Sequence, residues 1–377
     1  MRMGSEGVAP FTFMMVMRRC VGTLMLAARL FGLGLFIVSA IVSRHRTHRM
    51  STPVGPPPPP TSPPPPARVP LALRLERATD RALFLLCRTL VRSVPFRSVR
   101  ALGYALGEAR FRLNFRERLR IQRELESLLG RPPGDSATHA RLRTAYRTSD
   151  AATLEVLKLF DRPQDIDLLL SHAHVVGLDN VRRALEAGRG AILLAGHSGN
   201  GALLVVRLAA AGIPVSVIYH QARMMDKALF EDGLRAYDVG AIEANQGLQA
   251  YGRMLGALRR NEVVFMMADQ GVKKAKDGTI LRFLGKDMPM PLGPAQLARH
   301  AKAPVLPVSA VGFEPQWRFE IQPAVSLNPA ASLEAEMAAL LRVTEEDILR
   351  HPQLWSWHHR RWRRFPMADD GAVAVRP

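Results

Sequence analysis

The sequence predicts an α/β fold, a mostly parallel central sheet flanked by helices, preceded by an N-terminal membrane helix. Three observations lead there. After Gly190, short uncharged apolar runs alternate with segments of helical periodicity, as in strands joined by crossover helices. The clearest run, Ala191 to Ala195, is bounded by glycines and stops at His197 among Gly196, Gly199 and Gly201. It reads as a buried strand turning into a helix at Ala202 to Ala211. Near the start, Val21 to Val42 is a 22-residue apolar stretch interrupted by Arg29 and a few small or hydroxyl residues, long enough to cross a bilayer.

These features divide the chain into a hydrophobic anchor (1–50), a proline-rich linker (51–70), a main domain (71–366) and a short tail (367–377). The arginines Arg44, Arg46 and Arg49 after the apolar stretch replace the small residues of a signal-peptide cleavage site, so the anchor is expected to stay. A start at Met50 would leave it out. Pro53 to Pro70 holds eleven prolines, which suits an extended polyproline II spacer. With 377 residues and 47% apolar content the chain can bury a full core. Two cysteines, Cys20 in the hydrophobic N-terminal region and Cys87, argue against a disulfide framework and for a reducing compartment.

The net charge of +19 calls for an anionic partner, nucleic acid or an anionic membrane surface. Leu71 to Val94 has helical periodicity with Arg74, Arg77, Arg81, Arg88 and Arg92 grouped on one face, which suits a helix lying on such a membrane. Helical patterns follow at Val99 to Leu129, Ala137 to Leu159 and Leu178 to Ala187. Beyond His197 the chain reads as a strand at Pro214 to Tyr219, helices at Asp226 to Tyr237 and Leu248 to Arg259, and a strand at Glu262 to Ala268. A basic loop with Lys273, Lys274 and Lys276 comes next, then a helix at Pro294 to His300 and a strand at Pro304 to Val311.

Ligands of an open parallel sheet gather at the carboxyl ends of its strands. Two such ends carry chemistry here: His197 after Ala191 to Ala195, and Asp269-Gln270 after Val263 to Ala268. Taken singly, each also suits a cap or a turn. Together on one sheet edge, the carboxylate can fix the imidazole's tautomer and stabilise its protonated form, leaving the ring to act as a general base. Arg235, Lys273, Lys274 and Arg282 are expected near the same edge, where they can hold phosphate groups. Near the C-terminus, Trp355, Trp357 and Trp362 stand beside Arg360 and Arg361, a mixture that suits a membrane interface or phosphate-bearing head groups. No RNP1, KH or zinc-finger pattern accompanies them, so no nucleic-acid partner is expected.

These residues carry a resemblance. Gly190-x-Gly-Ala-Ile-Leu-Leu-Ala-Gly-His197-x-Gly-Asn, Ala268-Asp269-Gln270, Pro291-Leu-Gly-Pro-Ala-x-Leu-Ala with Ala303-Pro-Val, and the stretch from Pro352 to Trp362 resemble four blocks of the bacterial lipid A biosynthesis acyltransferases, of lauroyl and myristoyl type, within the lysophospholipid acyltransferase group. The resemblance covers Leu71 to Arg364 and implies a glycerolipid acyltransferase-like domain. It implies transfer of a fatty acyl chain from a thioester, such as acyl carrier protein, to a hydroxyl of a membrane glycolipid such as a lipid A precursor, with no metal, cofactor or acyl-enzyme. It also implies an inner-membrane anchor with the catalytic domain in the cytoplasm. His197 and Asp269 then belong to the catalytic machinery, and Asn200, Arg235, Gln270, Lys273, Lys274 and Arg282 to substrate binding. One position departs from the family pattern of His, four residues, then Asp or Glu: the fifth residue after His197 is Ala202. Gly201 also stands where the family has a bulky aromatic, and Tyr219-His220 replaces a tyrosine-arginine pair. Two further readings follow: a catalytically silent lipid- or carrier-binding member, and a serine hydrolase using Ser198, whose Gly-x-Ser-x-Gly elbow is broken by Asn200.

Overall fold

A computed structural model describes residues 85–161, 170–220, 227–272 and 278–357. The expected membrane anchor, the proline-rich linker, the lysine-rich loop at 273–277 and the stretch from 358 onward lie outside the described residues. Among the described residues no helix is long and apolar enough to cross a membrane.

The helical segment α1 (85–93) leads into α2 (Phe96–Leu113), α3 (Phe115–Leu128) and α4 (Ser136–Asp161). The expected helix from Val99 to Leu129 is thus two helices, because Asn114 leaves helical geometry between them. Alpha-helix α2 lies directly on α4, and a Cβ at Gly103 would stand only 2.3 Å from the Ala151 backbone. Arg88, expected on a membrane-facing stripe, instead pairs with Asp161 at 2.6 Å.

The remainder forms β1 (Ala173–Val176), α5 (Leu178–Leu185), β2 (Ala191–Ala195), α6 (Gly201–Ala210), β3 (Val215–Tyr219), α7 (Lys227–Arg235), β4 (Gly240–Glu243), α8 (Leu248–Arg259) and β5 (Val263–Met267). A hairpin of β6 (Thr279–Phe283) and β7 (Lys286–Met290) follows, then α9 (Gly293–Ala301), β8 (Val305–Gly312), β9 (Trp317–Ile321) and α10 (Leu333–Arg350). The main sheet has the order β1-β9-β8-β2-β5-β3-β4. Its pairings are parallel except β8 with β9, so the expected mostly parallel sheet is present.

Strand β2 is apolar throughout because both faces of the sheet are covered. Ile192 and Leu194 join a core with Ala295, Leu297 and Leu340 from α9 and α10. Ala191, Leu193 and Ala195 join the opposite core with Leu203 to Val206 of α6, Leu159 of α4 and Trp317 of β9. The strand therefore sits in the middle of the sheet, and its C-terminal tip opens at a position framed by both layers.

Candidate active site

Strands β2 and β5 are parallel neighbours with Ala195 opposite Met267, so His197 and Asp269, each two residues past that pair, emerge side by side. The chain turns sharply after His197. Gly199 has φ of +63°, and a Cβ there would come within 2.7 Å of the Ala310 side chain, so this turn needs glycine. Asn200 then caps α6 by accepting from the Leu203 N–H at 3.0 Å.

Asp269 is fully buried and receives three N–H donors. Its Oδ1 lies 2.5 Å from His197 Nδ1. Its Oδ2 accepts the His197 backbone N–H at 2.8 Å and the Trp355 indole N–H at 2.7 Å. These donors compensate the carboxyl group for the hydration it loses on burial. Since Asp269 accepts at Nδ1, that nitrogen carries the ring proton, and Nε2 presents a lone pair. The Gln270 amide nitrogen donates towards that lone pair from 3.2 Å. The imidazole is fixed on its Nδ1 side by Asp269 and is one-fifth exposed. Such a ring can accept a proton from an incoming hydroxyl at Nε2 and share the resulting positive charge with Asp269.

The structure thus brings His197, Asp269 and Gln270 together. Asn200, expected to touch substrate, is turned inward: its amide donates to Glu155 Oε2 at 3.1 Å while its carbonyl caps α6. Glu155, a buried carboxylate of α4, also receives the Trp317 indole at 2.6 Å and the Arg100 guanidinium at 2.7 Å, so Asn200 belongs to the frame beneath the site. Arg235 lies in the last turn of α7, which runs back to the edge where β4 begins, the opposite edge from His197; there it pairs with Asp232 at 2.6 Å. Arg282 sits on the hairpin, largely exposed, 3.5 Å from Asp287.

Trp355 and Trp357, expected at a membrane interface, are instead 1% and 4% exposed. The C-terminal segment folds back onto the turn after β2, where Ser198 pairs with Trp355, the Ser356 N–H donates to the His197 carbonyl at 3.0 Å and the Gly199 N–H donates to the Leu354 carbonyl at 2.9 Å. Their indoles go inward because this segment packs on the core. Lys273, Lys274, Arg360, Arg361 and Trp362 lie outside the described residues. The contacts of Glu155 and Trp355 escaped the sequence reading, since nothing in local spacing links residues separated by 45 to 162 positions.

The position of the missing motif acid is also explained. Ala202 is half-buried against the α6 side of the core, while the Nδ1 that a motif acid would orient is already occupied by Asp269. Ser198 makes no hydrogen bond with the imidazole among the described residues, so the nucleophile–base contact of a serine hydrolase is not formed.

The model of the bacterial lipid A biosynthesis acyltransferases matches residues 69–364. The chain belongs to this family. Among its relatives, the phosphatidylinositol mannoside acyltransferase of Mycobacterium tuberculosis (strain H37Rv) is 27% identical over 190 residues, 49% of this chain. That match spans 58% of the relative's own length. The protein of the same name from Mycolicibacterium smegmatis is 24% identical over 277 residues, covering 71% of this chain and 88% of the relative. The family match includes both strand tips and the C-terminal segment that folds over them.

Proposed function

We propose that the protein transfers a fatty acyl chain from a thioester, carried by acyl carrier protein or a similar donor, to a hydroxyl of a membrane glycolipid. The observation that carries this reading is the His197–Asp269 pair, 2.5 Å apart at adjacent strand tips, in a chain of this family. His197 Nε2 accepts the hydroxyl proton as the oxygen attacks the thioester carbonyl. Asp269 stabilises the imidazolium so formed. The tetrahedral intermediate then collapses, the carbon–sulfur bond breaks, and the proton passes from Nε2 to the departing thiolate. The Gln270 amide, beside Nε2 at 3.2 Å, can turn its N–H to the developing oxyanion as the hydroxyl takes its place at the ring.

A glycolipid acceptor is supported by the relatives named for phosphatidylinositol mannoside. Attachment to an anionic inner membrane, with this domain in the cytoplasm, is supported by the apolar stretch Val21 to Val42 and the net charge of +19. The silent-member reading rests on Ala202; the Asp269 contact at Nδ1 supports the active reading over it.

The test is lipid mass spectrometry of the host with the gene deleted and then complemented. A membrane lipid should lose one acyl chain on deletion and regain it with wild type but not with His197→Ala. An unchanged lipid profile, or full restoration by His197→Ala, would overturn the reading.

A further inference from the structure

The Trp355 indole N–H meets the carboxylate that holds the catalytic imidazole, from a segment 86 positions further along the chain. We infer that Trp355 is a positioning residue for acyl transfer: by occupying Asp269 Oδ2 it reserves Oδ1 for His197 Nδ1 and so fixes the direction of the base. This rests on the acyltransferase reading above and adds a role that the motif blocks do not express.

The argument is one of donors and acceptors. Three N–H groups of the described residues reach the two oxygens of Asp269. The His197 backbone N–H and the indole both use Oδ2, leaving Oδ1 to the ring. An indole N–H can donate but not accept, so it supports the ionised carboxylate and cannot bond a protonated one through that carboxyl's own O–H. Being neutral, it does so without bringing a positive charge that would compete with the imidazolium for Asp269. Without the indole, Oδ2 would lose a side-chain donor, and the carboxylate would be less restrained about its terminal torsion, which is broad and soft.

The indole itself is firmly held. Its ring meets Trp357 edge to face at 4.5 Å, and the Trp357 indole donates to the Pro352 carbonyl at 2.7 Å. From α4, Thr148 donates to the Gln353 carbonyl at 3.1 Å, and the Ser149 and Ser356 hydroxyls are 3.0 Å apart. Residues on either side of Trp355 are therefore tied to α4 and to the His197 turn. This is what a partner needs if its own donor is to hold a ligand of the reacting group in place.

The experiment uses the full chain, purified in detergent and added to membranes plus cytosol of the deletion host, which supply the native acceptor and donor. The rate of lipid acylation is measured over a dilution series of the membranes. Two variants are compared with wild type: Trp355→Phe, and the full chain with 3-benzothienylalanine at 355, which keeps the bicyclic shape and replaces the N–H by sulfur. Both should lower the rate at saturating membranes by about ten- to a hundredfold, with the half-saturating amount of membrane unchanged. The isostere separates the hydrogen bond from packing: a wild-type rate in that variant overturns the positioning role, even where Trp355→Phe is impaired through folding. A raised half-saturation with an unchanged maximal rate also overturns it, since that would place Trp355 in lipid binding. His197→Ala run alongside distinguishes the two levels, because acylation by that variant, or none by wild type, would defeat the acyltransferase reading itself.

Discussion

Two buried aspartates of this fold have contrasting surroundings. Asp269, at the tip of β5, is fully buried, yet three N–H groups converge on it. Asp347, on α10, is also buried, but its Oδ1 finds no hydrogen-bond partner among the described residues. Loss of hydration pushes the Asp347 carboxyl up to about 6, and the Ser309 hydroxyl and Arg350 offset this only in part. The two sites therefore differ in the donors brought to them, and three converge on the residue that faces the imidazole.

The contrast can be broken most forcefully at Asp269. Asp269→Asn puts an NH2 group against one of three donors, so the ring loses its orienting partner or gains a competing one. Transfer should fall roughly 10³- to 10⁴-fold, in line with loss of the orienting acid in other His–Asp pairs, while the protein stays folded by circular dichroism. Retention of more than about a tenth of the activity would contradict the assignment.

Glu155 sharpens the comparison, because it too is a buried carboxylate rich in donors, from Arg100, Asn200 and Trp317, but has no reacting group beside it. Glu155→Gln should cost about 3 kcal/mol in urea unfolding, since one donor is left facing an amide NH2 and the Arg100 charge loses its partner. A stability within 0.5 kcal/mol of wild type, a difference of roughly that seen for neutral surface changes, would count against the donor argument.

Asp347 should respond in the reverse sense. Its folded-state value of about 6 lies above the ordinary 3.8, so the native state holds more protons than the unfolded chain between those values. The folded state is then most favoured by this group below about pH 4 and loses that advantage as the pH rises towards 6. Asp347→Asn removes the charge, and should stabilise the protein by about 2 kcal/mol at pH 7 with little difference near pH 3.5. Thermal unfolding at both pH values checks this; an equal gain at both would mean that the effect is not one of charge. The smallest effect is expected at Ala202, where Ala202→Glu should change transfer by about threefold or less, as Nδ1 already has its acid. A large gain would show that the Asp269 contact does not suffice.

Much of this arrangement is legible in the chain. The uncharged runs Ala191 to Ala195 and Val263 to Met267 mark central strands, and their parallel pairing follows from the helices between them. His197, Asp269 and Gln270 could be placed on one edge for that reason. Arg235, expected near that edge, stands instead at the end of a nine-residue helix that returns to the edge where β4 begins. Trp317 to Ile321 shows the alternation of a strand buried on one face, yet its antiparallel pairing with β8 has no signature of its own in the sequence. Least legible was the C-terminal segment. Tryptophan beside arginine describes an interface equally well for lipid or for protein core, and only the return of Trp355 to Asp269 decides it.

The most direct test of the His197–Asp269 pair is a double-mutant comparison of lipid acylation by wild type, His197→Ala, Asp269→Asn and the two combined, in the complemented deletion host. If the two side chains act as one unit, the double variant will be no slower than His197→Ala alone, because without the imidazole the carboxylate has nothing left to orient. Independent, multiplying losses, or an Asp269→Asn protein that acylates as wild type does, would contradict the pair as the source of activity.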